Sequence, residues 1–190
     1  MRRRLSLPLA LVICAAVIAA AAGVEYAMGR QPICKCGTIK LWHSARGDSE
    51  MSQHLADWYT YSHVLHGIIF YWLIGLFAKG RLSVAARLVI AMFIEAGWEI
   101  FENTDFIINR YRQGTVSKDY FGDSIINSVG DMLAMIVGFI LASRLPAWVT
   151  VALLIATEVI LLVLIRDNLT LNIIMLIHPV DAIRTWQAGG

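Results

Sequence analysis

Charge is what this chain of 190 residues has least of: Asp, Glu, Lys and Arg together make up 16% of it, against about 25% in an ordinary soluble domain. Too few polar side chains remain to cover a water-facing globule of this size, which excludes a soluble enzyme. An excess of one sign is missing too. The 16 Lys and Arg oppose 14 Asp and Glu for a formal net charge of +2, whereas a nucleic-acid binder carries a basic face to offset phosphate. No Gly/Ser/Pro-rich linker, low-complexity tract or internal repeat interrupts the chain, so it reads as one domain over 1–190. A Ser-centred nucleophile elbow and a phosphate-cradling glycine loop are absent as well. What is abundant is apolar surface, with 58% of residues hydrophobic.

A helix needs about 20 mainly apolar residues to cross roughly 30 Å of hydrocarbon. Five stretches meet this, at about 5–24, 62–78, 82–101, 123–142 and 147–165, and predict an all-α, polytopic transmembrane bundle with an outer loop over 25–61. The stretch from Leu169 to Ile177 is apolar but too short to cross, and reads as a surface or re-entrant piece. Lys and Arg in short loops stay on the cytoplasmic side. Arg2, Arg3 and Arg4 therefore put the N-terminus inside, and alternation then keeps Lys79, Arg81, Arg87 and Arg144 inside too. The expected location is a bacterial inner membrane, multi-pass. The Arg run, apolar core and Ala20-Ala21-Ala22 also fit a cleavable signal peptide, although the apolar run is long for one and favours a retained anchor. Cys14 follows Leu11, Val12 and Ile13 rather than small residues, which argues against lipidation there. Cys34 and Cys36 fall in the outer loop. Their spacing is cramped for a mutual disulfide, no fourth cysteine completes a zinc set, and the expectation is two loop cysteines without a catalytic role.

Charged groups inside a span cost about 2.5 to 3.5 kcal/mol each on insertion scales, so each calls for a cause. At 100° per residue, Glu95, Glu99 and Glu102 of the third span fall within an arc of roughly 60°. The fourth span carries Asp123, Asn127, Gly130, Asp131, Ala134 and Gly138 on a stripe about 100° wide. Its small residues permit close approach of a neighbour, so the third and fourth spans are expected to pack carboxylate face to carboxylate face. His63 and His66, three apart, begin the second span, and Arg166 and Asp167 leave the fifth. Four helices thus place polar groups at one depth near the outer boundary, with Glu95 and Asp131 roughly 10 to 12 Å deeper at 1.5 Å per residue. A polar cavity opening outward is the expectation.

Close carboxylates repel unless one is protonated, a cation binds, or Arg166 neutralises them. Three uses of the cluster stay open. His66, Glu99 and Glu102 are metal-ligand candidates, although the Glu-x-x-His signature of dinuclear carboxylate proteins is missing. Asp123 and Asp167 are candidates for an acid/base dyad of the intramembrane-protease type. Alternatively, the cavity binds a polar head group. Expected partners are the lipid bilayer and an envelope lipid or other polar envelope molecule, with cofactor and catalytic residues undetermined. The rival is a structural or assembly protein whose polar groups only lock helices together.

The segments Trp42-His43-Ser44-Ala45, Ser62 to Gly67, Glu95 to Asn103, Asp123 to Asp131 and His178-Pro179-Val180-Asp181 resemble an uncharacterised family of small alphaproteobacterial inner-membrane proteins, from about Gln31 onward. That resemblance implies location and fold class only. His66 together with the Asp-x-x-x-Asn-x-x-Gly stripe from Asp123 to Gly130 is also similar to VanZ-like membrane proteins, although Ser62-His63 replaces their Asp-Lys. This likeness implies cell-envelope or antibiotic-stress physiology.

Overall fold

The computed structural model describes residues 5–45 and 47–189. Within them the chain is all helix and loop: α1 (Leu7–Ala27), α2 (Thr60–Ala78), α3 (Val84–Glu102), α4 (Asp105–Gly114), α5 (Ile125–Arg144), α6 (Ala147–Ile165), α7 (Leu169–Ile177) and α8 (Asp181–Gln187). Arg2, Arg3 and Arg4, which carry the orientation argument, lie outside the described residues.

Each long apolar stretch folds as a helix because, in a chain this poor in water-seeking groups, only intrahelical hydrogen bonds satisfy the backbone. Starts are marked by side-chain caps: Ser83 accepts from Ala86 N, Ser124 from Asn127 N and Asn168 from Leu171 N. Among the described residues four helices, α1, α2, α5 and α6, are long and apolar enough to cross a membrane, where the sequence suggests five. The fifth candidate, α3, matches them in length but carries Arg87, Glu95, Glu99 and Glu102, and it packs against α1, α2 and α5. Val151, Ile155, Val159, Val163 and Leu164 of α6 face outward, as do Leu9, Leu11 and Val12 of α1. A monomeric soluble protein does not leave a patch of this kind in water. The protein is a membrane protein.

The tightest pairing is α2 on α5. A Cβ built on Gly67 would stand 2.0 Å from Met135 O, and one on Gly138 would stand 1.9 Å from Val64 O, so the two backbones touch where side chains are missing. The core beneath is made of Met92, Met132, Met135 and Phe139, with Cys14 and Ala21 closing it from α1.

One end of the bundle is capped by the remaining chain. Ile125 N and Ser124 N donate to Gln31 O and Ser52 O, Gln53 Nε2 donates to Gly122 O, and Asn127 Nδ2 donates to His54 O at 2.8 Å. These bonds staple the loop between α1 and α2 onto the start of α5. Short helices α4 and α7 close another side. Glu158 of α6 accepts from Leu169 N and Thr170 N and so fixes the α7 N-terminus, while Arg110 of α4 donates to Leu176 O and Ile177 O at its C-terminus. Cys34 and Cys36 are disulfide-bonded, which corrects the expectation of two separate cysteines. The turn closed by Gly37 N on Cys34 O, with Gly37 at φ +78°, folds the chain back and brings the two Cα atoms to 5.1 Å, inside the ordinary range.

Candidate functional site

Helices α2, α3 and α5 converge on Glu95. His63 and His66 sit one turn apart on α2, so both rings reach the same side, and Glu95 takes one on each oxygen: His63 Nδ1 lies 2.6 Å from Oε1 and His66 Nδ1 lies 3.1 Å from Oε2. The two rings meet edge to face at 4.9 Å. One turn along α3, Glu99 Oε1 stands 3.2 Å from His63 Nδ1. From α5, Asp131 Oδ2 stands 3.8 Å from His63 Nε2. Glu95 and Glu99 are fully buried, and His63 and Asp131 nearly so.

A cavity of about 350 Å³ opens beside this cluster. His63, His66 and Asp131 line it, together with Glu102, Asp123 and Asp167. Each of the last three carboxylates is held by a tyrosine: Tyr111 OH lies 3.0 Å from Glu102 Oε1, and Tyr120 OH and Tyr59 OH donate to Asp123 and Asp167, both at 3.0 Å. Ile69, Phe70, Ile94, Trp98, Leu169 and Ile173 supply apolar lining. Polar and apolar side chains share the space, with His66 stacked on Phe70 at 5.7 Å.

The expected set is therefore divided. His63, His66, Glu102, Asp123, Asp131 and Asp167 line the cavity, and Glu95 and Glu99 lie behind His63. Asn127 does not join them, because its amide is committed to His54 O. Arg166 does not neutralise the carboxylates: as the C-cap of α6 it turns toward α8, donating to Trp186 O at 3.0 Å with its guanidinium over the Trp186 ring. Asp123 and Asp167 are engaged by different tyrosines. Sequence reasoning missed Tyr59, Tyr111 and Tyr120, and it missed the contribution of α7. The only signal available for them was a tyrosine near each end of the polar segments.

A second group, Cys34, Cys36, Glu50 and His54, lies in the capping loop, its two cysteines tied up in the disulfide. There, hydrogen bonds from Lys40 and His54 hold the Glu50 carboxyl down at about 2, from an ordinary value of 4.5. A depressed folded value means that this ionised group stabilises the fold above about pH 4.5 and that the contribution fades as pH falls toward 2. Replacement Glu50→Gln is expected to flatten the dependence of the thermal midpoint on pH across that window. An acid limb identical to wild type would contradict the assignment.

A family model described as "Protein of unknown function (DUF2585)" matches residues 25–189. A UPF0314 protein of Paracoccus denitrificans is 56% identical over 162 residues, covering 85% of this chain and 83% of its own. A UPF0314 protein of Rhizobium meliloti is 54% identical over 179 residues, covering 94% and 90%, and one from Sphingopyxis alaskensis is 48% identical over 179 residues, covering 94% and 95%. No solved structure matches. The VanZ-like likeness is not shown by these comparisons, and in the stripe that suggested it Asn127 anchors the capping loop and Gly130 makes room for Leu55 O, 2.0 Å from where a Cβ would be. With a match spanning most of the sequence and relatives at about half identity, the chain belongs to the DUF2585 family of UPF0314 proteins.

Proposed function

We propose that this protein binds an envelope lipid at the periplasmic face of the bacterial inner membrane. The observation that carries the proposal is the mixed lining of the cavity, with His66, Glu102, Asp123 and Asp167 set among Phe70, Ile94, Trp98 and Ile173. Binding sites are mostly apolar with a few placed polar groups, and this mixture suits a molecule with a head group and a chain. Among the described lining residues, carboxylates outnumber Lys and Arg, which favours a head group rich in donors, an ammonium or several hydroxyls, over a bare anion.

Orientation follows from charge and redox chemistry. Lys79, Arg81 and Arg144 gather at the end opposite the cavity, as cytoplasmic residues do. The Cys34–Cys36 bond belongs to the cavity end and to an oxidising compartment. A cysteine introduced at Ser117 reacts with an impermeant maleimide in intact spheroplasts, and one at Arg144 only after permeabilisation.

Native mass spectrometry of the detergent-purified chain, exchanged into phosphatidylethanolamine or phosphatidylglycerol, tests the ligand. The expected result is preferential retention of phosphatidylethanolamine. Glu102→Gln, which keeps the shape and the Tyr111 contact, weakens retention about tenfold, a loss of about 1.4 kcal/mol. Ile173→Trp, which fills space along the apolar lining, removes it. Equal retention of both lipids by all three proteins would defeat the proposal.

A further inference from the structure

Glu99 makes an unusual demand on its surroundings. It is fully buried, and neither carboxylate oxygen takes a hydrogen bond. His63 Nδ1 is close to it, but that nitrogen is hydrogen-bonded to Glu95 at 2.6 Å. Asp131, also buried, has an oxygen Oδ1 in the same condition. Buried carboxylates left this way are costly, and a bound cation is a direct way to offset them.

The third participant is already prepared. With Nδ1 donating to Glu95, a neutral His63 ring carries its lone pair on Nε2. That atom stands 3.8 Å from Asp131 Oδ2. This is too long for a hydrogen bond, yet close to the separation of about 3 to 4 Å between two ligands of a common cation held at roughly 2.1 Å from each. Counting either ring nitrogen of His63, one ligand atom from each of His63, Glu99 and Asp131 lies within 4.8 Å of the other two. A carboxylate bonded to the far nitrogen of a ligating imidazole, as Glu95 is here, fixes the ring and its tautomer in metal sites.

The geometry points to a divalent transition-metal site in which His63 of α2, Glu99 of α3 and Asp131 of α5 are the ligands and Glu95 is the positioning residue. One nitrogen and two carboxylates suit a borderline cation of the zinc class better than calcium or magnesium, which take all-oxygen sets. Both His63 and Asp131 border the cavity, so the fourth coordination position opens into it. Two carboxylates balance the cation charge, leaving Glu102, Asp123 and Asp167 to define the polarity of the cavity. The site stands on its own ligands and does not rest on lipid binding: zinc retained without lipid preference would leave it intact, and lipid preference without zinc would leave the lipid proposal intact.

The test uses the full chain in detergent, stripped with EDTA, loaded with zinc, desalted and measured by mass spectrometry of the metal. Wild type is expected to hold one zinc per chain, and His63→Ala, Glu99→Gln and Asp131→Asn to bind at least tenfold more weakly. Glu50→Gln, in the capping-loop group, leaves the stoichiometry unchanged and so locates the ion in the bundle. Folding is separated from ligation by thermal midpoints: in EDTA, Glu99→Gln melts at or above wild type because the carboxyl it replaces makes no hydrogen bond, and zinc raises the midpoint of wild type but not of the variant. Absence of retained zinc, equal retention by the three variants, or loss in Glu50→Gln alone would overturn the assignment, as would a Glu99→Gln protein that melts well below wild type in EDTA.

Discussion

Gly138→Ala is expected to abolish recovery of folded protein. The added methyl would stand 1.9 Å from Val64 O and 2.8 Å from Val64 C, both backbone atoms inside α2, so no rotamer change can relieve it. Gly67, facing it across the crossing, is closed in by Met135 O and Phe139 N in the same way. Relief requires α2 and α5 to part, which would loosen the packing of Leu65, Ile68, Met135 and Phe139, all nearly or fully buried. Overpacking typically costs about 1 to 3 kcal/mol and occasionally more; here the clash is with backbone, and lipid offers no hydrophobic drive to push the helices back together. The matching control is Gly97, in α3, where a Cβ meets nothing within 4 Å. Gly97→Ala is expected to be neutral or to stabilise by up to about 1 kcal/mol, as Ala for Gly does in an open helix interior. Size-exclusion profiles and thermal midpoints in detergent compare the two. Similar behaviour of both variants would remove the close backbone crossing as the organising contact of the bundle.

That crossing also explains which parts of the molecule were readable in advance. Apolar length and spacing place the long helices, because the same residues that exclude water set the helix ends. Spacing likewise puts Glu95, Glu99 and Glu102 on one side of α3, and His63 with His66 on one side of α2. Periodicity assigns a face, however, and does not name its partner. Asn127 shares the polar stripe of α5 with Asp131, yet its amide is taken by a carbonyl 73 residues away, and no local pattern encodes that bond. Arg166 turns from the carboxylates because it ends α6 in the left-handed region at φ 52°, a backbone choice that composition does not show. The walls supplied by α4 and α7 were hidden for a related reason. A nine-residue apolar helix carries too little pattern to say whether it lies on the surface or closes a cavity. Tyr111 joins both, with its hydroxyl 3.0 Å from Glu102 and 2.8 Å from Asn172.

Asn103→Ala is expected to lower the thermal midpoint sharply and to disorder the flank of the cavity. The side chain has no solvent exposure and ties the end of α3 to the start of α5. Its Nδ2 donates toward Glu99 O at 3.1 Å, Asp123 Oδ2 at 3.2 Å and Ser128 Oγ at 3.3 Å, and its Oδ1 accepts from Asp123 N at 2.7 Å. Alanine would leave the Asp123 amide and part of its carboxylate without partners in a buried place, and each such group costs about 1 to 3 kcal/mol. A total near 3 kcal/mol is the expected loss. Ser128→Ala removes only one of three competing acceptors and should cost less than about 1 kcal/mol. Asn103→Asp keeps an acceptor for the Asp123 amide but sets a second carboxylate against the first, so it should be at least as damaging as alanine. The order of midpoints is therefore Ser128→Ala, then Asn103→Ala, with Asn103→Asp equal or lower. Because Asp123 lines the cavity, lipid retention should fall along with stability in Asn103→Ala and persist in Ser128→Ala. Equal midpoints for these two variants would mean that Asn103 merely occupies space, and that something other than this amide sets the position of the Asp123 carboxylate.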